Sequence, residues 1–149
     1  MSSEIKAALI LQAIGRPPEH LKKVVEDIVE KIKGEKGTKV LRAEVKDPTP
    51  LKEEPTLFST FCEVEVEVEE PAYLMMLTFK YAPSNVEIFS PEKIELSNNN
   101  FAELLSEMAR KLHQYDEVAR ILQMQRQQLE QKVLELEKSK EKKKVSKKK

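Results

Sequence analysis

The sequence has few of the features that mark a secreted, membrane-bound or disulfide-stabilised protein. It contains one cysteine, Cys62, so no disulfide can form within the chain and we expect a reducing, cytoplasmic environment. No apolar run approaches the roughly 18 residues of a membrane span, so we expect no membrane partner. Residues 1–4 lack the basic and apolar regions of a signal peptide. These absences favour a soluble protein of the cell interior.

The sequence also lacks a catalytic, cofactor-binding or metal-binding motif. His20 and His113 are far apart, and neither is spaced from cysteine or acidic residues as metal ligands are. Cys62 is in phase with Val64 and Val66, which predicts a buried structural thiol rather than a nucleophile. We therefore expect no enzyme and no cofactor. A catalytic dyad or triad that only the fold assembles stays open as an alternative.

Charge is abundant, and it is divided between two parts of the chain. Residues 138–149 hold eight lysines and one glutamate, a net charge of +7, whereas residues 1–137 carry −7. Lysines neutralise phosphates without reading a base sequence, so these side chains predict nonspecific contact with RNA, DNA or a ribonucleoprotein such as the ribosome. They are Lys138, Lys140, Lys142, Lys143, Lys144, Lys147, Lys148 and Lys149. The composition predicts a disordered tail, and a purely solubilising role is the alternative.

Hydrophobic periodicity predicts six elements in residues 1–97. The apolar residues 5–14 predict a central strand that is buried on both faces. Residues 18–33 have apolar side chains at helical spacing, which predicts an amphipathic helix. Residues 58–69 alternate Cys62 and three valines with glutamates, which predicts a strand with the glutamates outward. The remaining predictions are a strand at 39–46 with Leu41, Ala43 and Val45 inward, a proline-rich loop at 47–56, a helix at 71–81 and a strand at 85–90. For residues 72–81 a strand is the alternative, because their composition is compatible with both.

The order strand, helix, strand, strand, helix, strand is that of a ferredoxin-like βαββαβ sandwich. In this α+β arrangement two helices cover one face of a four-stranded antiparallel sheet. We assign residues 1–97 to this domain, residues 98–137 to a long helix that forms a coiled coil, and residues 138–149 to the basic tail. A fold shared this widely does not define a function.

The long helix carries the strongest pattern in the sequence. No glycine or proline follows Phe101. The polar residues Ser97, Asn98, Asn99 and Asn100 supply helix caps, and Asn100 and Glu103 have the spacing of a capping box. Positions in alternating steps of four and three are apolar in ten of eleven cases from Phe101 to Leu136. Up to about residue 122 the apolar stripe is wide, and beyond it the stripe narrows to a coiled-coil seam. A helix of about forty residues is about 60 Å long, so its distal part must pair with a partner or stand in water.

Charges beside this seam favour a parallel homodimer. In that arrangement Lys111 faces the partner's Asp116 and Lys132 faces the partner's Glu137, and each pair contributes at most about 1 kcal/mol. Arg126 in the seam lowers stability but restricts the register. We predict a dimer interface of Leu112, Tyr115, Ala119, Leu122, Arg126, Leu129, Val133 and Leu136. An antiparallel fold-back of the helix onto its own domain is the alternative.

Four glutamates on one face of the 58–69 strand form a second candidate site. Glu63, Glu65, Glu67 and Glu69 stand about 6.6–6.8 Å apart on an ideal strand. They can bind a cation or a basic partner, but cross-strand pairing with Lys39, Arg42 and Lys46 is the simpler interpretation. Calcium and magnesium sites usually collect their ligands from a turn.

Residues 15–20 join a predicted strand to the start of a helix and form a third candidate site. Backbone amides at such a position attract anions, and Arg16 can add a phosphate contact. Only one glycine is present, so this is not a nucleotide-binding loop. A structural turn is the alternative.

Together these patterns predict a non-enzymatic homodimeric adaptor or regulator that contacts RNA, DNA or a ribonucleoprotein through its basic tails. The alternative is a small-molecule-sensing regulatory domain, because ferredoxin-like sheets often bind small molecules at dimer edges.

Overall fold

The computed structural model describes residues 4–148, which divide after Asn100 into an α+β domain and a long helix. The strands are β1 (Ile5–Gly15), β2 (Thr38–Val45), β3 (Thr49–Pro50), β4 (Phe58–Val68) and β5 (Asn85–Ser90). The helices are α1 (Pro18–Lys33), α2 (Pro71–Tyr81) and α3 (Asn98–Lys147).

The sheet has the ferredoxin-like topology that the element order predicts. Its strands lie in the order β2-β4-β1-β5, each pair is antiparallel, and the short β3 pairs with β4. Strands β1 and β4 pair along their whole length, from Ile5 opposite Val68 to Gly15 opposite Phe58. The fold prediction is confirmed, with β3 as an addition within the predicted loop at residues 47–56.

Helices α1 and α2 pack on one face of this sheet and form the core. Leu9 and Val64 are fully buried beneath Val25 and Ile32 of α1, and Leu77 of α2 joins the same cluster. The helix α1 forms here because its apolar residues recur every three or four positions and thus share one face. The prediction that β1 is buried on both faces is only partly right, since Ile14 on its other face is exposed.

A β-bulge in β2 changes the direction of one predicted core residue. Val40 lies opposite Val66 and Arg42 lies opposite Glu65, so Leu41 is an extra residue between them. Leu41 is 42% exposed, and Ala43 on this edge strand is also exposed, whereas the prediction placed both inward. The alternating sequence did not indicate this, because a bulge adds one residue to a strand without any change in composition.

Helix α3 begins at Asn98, where the sequence predicts it, and extends beyond its predicted end. The Ser97 Oγ accepts a hydrogen bond of 3.1 Å from the Asn100 backbone N–H, so Ser97 caps a helix that begins at Asn98. A serine hydroxyl suits this role because it accepts from the third residue of the helix. At the other end α3 continues to Lys147, through the segment that composition predicted to be disordered. Lysine and glutamate are good helix formers, and no glycine or proline interrupts them.

Gly37, between α1 and β2, provides a stability test of the domain. Its φ is +67°, and a Cβ at this position would overlap the Tyr73 ring. We expect Gly37→Ala to lower the unfolding free energy by about 2–4 kcal/mol, from the left-handed backbone and the overlap together. The control is Gly34→Ala, whose Cβ would lie 3.5 Å from the Lys31 carbonyl oxygen, an ordinary contact. Urea denaturation measures both, and equal losses would contradict the role of Gly37.

Candidate interaction surface

Helix α3 exposes the apolar seam that its sequence pattern predicts. Between Asn98 and Lys147 no residue is buried. The leucines of the seam are among the most exposed large apolar side chains, with Leu122 at 58%, Leu129 at 62% and Leu136 at 63%. Leu122, Leu129 and Val133 line one surface depression together with Arg126 and Glu130. The surface of α3 therefore offers a continuous apolar strip to a second molecule.

The one charged residue in the seam carries its own counterion. Arg126 Nε lies 3.0 Å from Glu130 Oε1, one helical turn further along α3. This pair is exposed, so its contribution to stability is small. It does place a carboxylate beside the guanidinium at the edge of the seam. Two such pairs would meet in a symmetric dimer without a net charge.

Of the flanking residues that the sequence assigns to interhelical pairs, Asp116, Lys132 and Glu137 are exposed and Lys111 is half-buried. Asp116 forms an ion pair of 3.0 Å with Arg120 of the same helix, so a pair with the partner's Lys111 would compete with it. The described helix thus leaves these side chains accessible to a partner.

The lysine segment, residues 138–149, is exposed throughout its described part, residues 138–148, and is helical to Lys147. Its lysines surround the helix, and Lys138–Lys142, Lys140–Lys144 and Lys143–Lys147 are like charges four residues apart. Such pairs each disfavour a helix by a few tenths of a kcal/mol, about 0.2–0.5. Lys149, which the prediction included among the phosphate-binding lysines, lies outside the described residues. The segment concentrates positive charge at one end of α3.

Arg16 is exposed at the start of α1, but its surroundings offer an anion few donors. Pro17 and Pro18 have no N–H group, and the N–H groups of His20 and Leu21 donate to the Pro17 carbonyl. Glu19 adds a negative charge to the first turn. This geometry suits a structural turn better than a phosphate site.

The glutamate face of β4 is only partly neutralised by its neighbours. Lys6 Nζ lies 3.7 Å from Glu67, and Lys46 and Arg42 pair with Glu44 of β2. Within residues 4–148 neither Glu63 nor Glu65 has an ion pair at 4 Å or less. A hydrogen bond with Glu67 raises the pKa of Glu4, as expected among crowded carboxylates. In the same residues no group of three or more potential metal ligands comes together.

Cys62 lies in the core of the domain, as the alternation of β4 predicts. It is fully buried between the sheet and the helices, and burial raises the pKa of its thiol. A raised pKa reduces the fraction of nucleophilic thiolate at neutral pH. His20 and His113 are both exposed.

Sequence reasoning missed a polar contact that joins the ends of α1 and α2. Glu35 Oε1 accepts hydrogen bonds from Lys80 Nζ at 2.5 Å and from the Tyr81 hydroxyl at 2.6 Å. These residues line a surface cavity of about 520 Å³ together with Ile28 and Lys31, among others. The hydrogen bonds from Lys80 and Tyr81 lower the pKa of Glu35, whereas burial and the carboxylate raise the pKa of Tyr81 to about 12. The contact spans 46 residues in sequence, and no short-range pattern indicates it.

This contact predicts a pH-dependent contribution to stability. The pKa of Glu35 is lower in the folded protein than its ordinary value of 4.5. The ionised carboxylate therefore stabilises the fold fully at pH values above 4.5, and this stabilisation is lost as the pH falls through the pKa of Glu35 in the folded protein. We expect Tyr81→Phe to lower the unfolding free energy by about 1 kcal/mol at pH 7 and by less at pH 3. Urea denaturation at both pH values measures the difference. The control, Tyr73→Phe on the same helix, should show no such pH dependence, and a constant loss for Tyr81→Phe would contradict the assignment.

The fold and this surface define a class of protein: a ferredoxin-like α+β domain followed by a long helix with an exposed apolar seam and a lysine-rich end. The chain belongs to the MJ0538 family, whose model matches residues 6–144 and so includes both the sheet and most of α3. No curated protein and no solved structure matches the chain. Among residues 4–148, none of the helices combines the length and the apolar character that crossing a membrane requires.

Proposed function

We propose that the protein is a non-enzymatic, cytoplasmic homodimeric adaptor or regulator that uses paired lysine segments to contact RNA, DNA or a ribonucleoprotein. Its α3 helices pair in parallel along the seam. The observation that carries this proposal is the exposure of the seam leucines, of which Leu112, Leu122, Leu129 and Leu136 are each more than half exposed.

Hydrophobic burial supplies the driving force for this pairing. Burying one leucine contributes about 1.5–3 kcal/mol relative to exposure. Four seam leucines on each of two chains therefore offer about 12–24 kcal/mol, against an entropy cost of association of about 4–15 kcal/mol. The positions lie on one strip because alternating steps of three and four follow the helical turn.

Charge complementarity selects the parallel orientation. In a parallel pair Lys111 faces the partner's Asp116 and Lys132 faces the partner's Glu137, all of opposite sign. In the antiparallel register that places Leu112 opposite the partner's Leu129, Lys111 would instead face the partner's Lys132. Such like-charge contacts disfavour the antiparallel dimer.

Parallel pairing brings the two lysine segments to the same end of the dimer. Each segment of residues 138–149 carries +7, so the pair presents +14 to a phosphate backbone. Two linked sites of this kind bind more tightly than one because the second contact is intramolecular. The segment contains no arginine and no aromatic residue, which favours contact with phosphates over reading of base edges or stacking on bases.

Light scattering of the intact chain and of a chain truncated after residue 121 tests this proposal. We expect the mass of a dimer for the intact chain and of a monomer for the truncated chain, because the truncation removes the distal seam. An intact chain with the mass of one subunit at micromolar concentration would overturn the proposal.

The cavity beside Glu35 favours a second candidate function, small-molecule sensing. This cavity of about 520 Å³ is open to solvent, so a small ligand would lie against the surface, where Lys31, Lys80 and Tyr81 supply polar groups. A panel of metabolites should then contain one that raises the melting temperature of the protein but not of a Lys80→Ala variant. A broad panel without any shift would count against this function.

A further inference from the structure

The heptad register of the seam continues into the lysine segment and changes its chemistry there. Further steps of four and three from Leu136 reach Lys140, Lys143 and Lys147. Because α3 is helical to Lys147, these three lysines lie on the same strip of the helix as Leu129 and Leu136. The strip is thus apolar up to Leu136 and cationic beyond it.

The other lysines of the segment do not share this strip. Lys138, Lys142 and Lys148 fall at heptad positions that point away from the seam in a two-helix dimer. The segment therefore contains two sets of three lysines with equal charge and different positions. The seam lysines are Lys140, Lys143 and Lys147, and the outer lysines are Lys138, Lys142 and Lys148.

In the parallel dimer of the proposed function, on which this inference depends, each seam lysine faces its own counterpart. Three like-charge pairs stand where the seam would otherwise bury leucine. In water such a repulsion is about 0.5 kcal/mol per pair at about 8 Å, or a factor of about two in the dimerisation constant. The helices are therefore held together up to Leu136 and driven apart after it.

We propose that the two lysine segments form a fork that closes on the backbone of double-stranded nucleic acid, so that duplex binding and dimerisation strengthen each other. Duplex phosphates supply one negative charge per about 1.7 Å along the axis, which is enough to neutralise both lysine segments of the dimer at once. Neutralising the seam lysines removes the repulsion that opens the fork. By linkage, a ligand that tightens the dimer binds the dimer more tightly than the monomer by the same factor.

Sedimentation equilibrium at low salt, with and without a duplex of about 20 base pairs, tests the coupling in the full chain. For the wild type we expect the duplex to tighten dimerisation about tenfold, since three repulsive pairs are neutralised. Replacing the seam lysines together (K140Q, K143Q and K147Q) should tighten the free dimer by about the same factor and abolish most of the further gain from the duplex.

The matched control replaces the outer lysines together (K138Q, K142Q and K148Q), which removes the same charge from the same segment. We expect it to leave the free dimer within about twofold of the wild type and to keep the gain from the duplex. Equal effects of the two triple variants would overturn the fork, because total charge alone would then explain the coupling. Anionic phospholipid vesicles that tighten the dimer in place of the duplex would overturn the assignment to nucleic acid.

Failure of this inference is distinguishable from failure of the proposed function. A wild-type chain that dimerises and binds the duplex, but with an unchanged dimerisation constant, contradicts the fork alone. A chain that stays monomeric in every condition contradicts the proposed function and the fork with it.

Discussion

Replacing Leu122 and Leu129 together with glutamine is expected to convert the dimer into a monomer. The substitution removes four leucine side chains from the interface of two chains, each of which contributes about 1.5–3 kcal/mol when buried. The dissociation constant should therefore rise by about four orders of magnitude or more, since each 1.4 kcal/mol is a factor of about ten. Glutamine keeps the helix propensity, so α3 itself is not weakened by the change. Sedimentation equilibrium across micromolar concentrations measures the effect.

The chain offers a matched control for this substitution. Met124 and Leu134 are 60% and 54% exposed, close to the exposure of Leu122, but they lie outside the seam. Replacing both with glutamine removes similar apolar surface from the same helix and should leave the dissociation constant nearly unchanged. If the control dissociates the dimer as strongly as the seam variant, general apolar surface rather than the seam holds the chains together.

Deletion of residues 138–149 is expected to abolish most binding to nucleic acid while the dimer stays intact. The deletion removes a charge of +7 from each chain, and the seam still ends at Leu136. Each neutralised phosphate contributes about 0.9 to the slope of log K against log salt concentration, so we expect a much shallower slope and an affinity at low salt that is lower by about a hundredfold or more. Fluorescence anisotropy with a labelled duplex at several salt concentrations measures both quantities.

The control for the deletion removes lysines from the domain instead of the segment. Lys22, Lys23, Lys31 and Lys33 of α1 are exposed and can be replaced together with glutamine. We expect nearly unchanged binding to the duplex in this variant, because its lysines lie in the acidic part of the chain. Binding that survives deletion of residues 138–149 would remove the lysine segment from the proposed function.

Elements with a clear hydrophobic period within their own residues were predictable from the sequence. The alternation in β4 predicted the buried positions of Cys62 and Val64, and the spacing in α1 predicted the burial of Val25 and Val29. These predictions succeed because strand and helix periods differ and each pattern is long enough to separate them. The order of the elements then left the ferredoxin-like topology as the compact arrangement that covers one sheet face.

Features that depend on distant partners or on single-residue irregularities were not predictable. The bulge at Leu41 leaves the composition of β2 unchanged, and the Glu35–Tyr81 hydrogen bond joins residues that are far apart in sequence. Residues 97–100 were all candidate helix caps, because adjacent polar residues can each cap, and only the backbone geometry selects Ser97. The composition of the lysine segment is typical of disorder, but its lysines and glutamate also have high helix propensity. The segment is helical to Lys147, so helix propensity indicates its structure better than overall composition does.

The most direct test of parallel pairing through α3 is a cross-link between identical seam positions. In a Cys62→Ala background, Leu136→Cys places one thiol in each helix at a position that faces its counterpart in a parallel dimer. Mild oxidation should convert most of this variant into a covalent dimer. The control Leu134→Cys lies at a heptad position that points away from the seam, and it should stay uncross-linked. A Leu136→Cys chain that remains monomeric under oxidation, or a Leu134→Cys chain that cross-links equally well, would contradict the parallel seam.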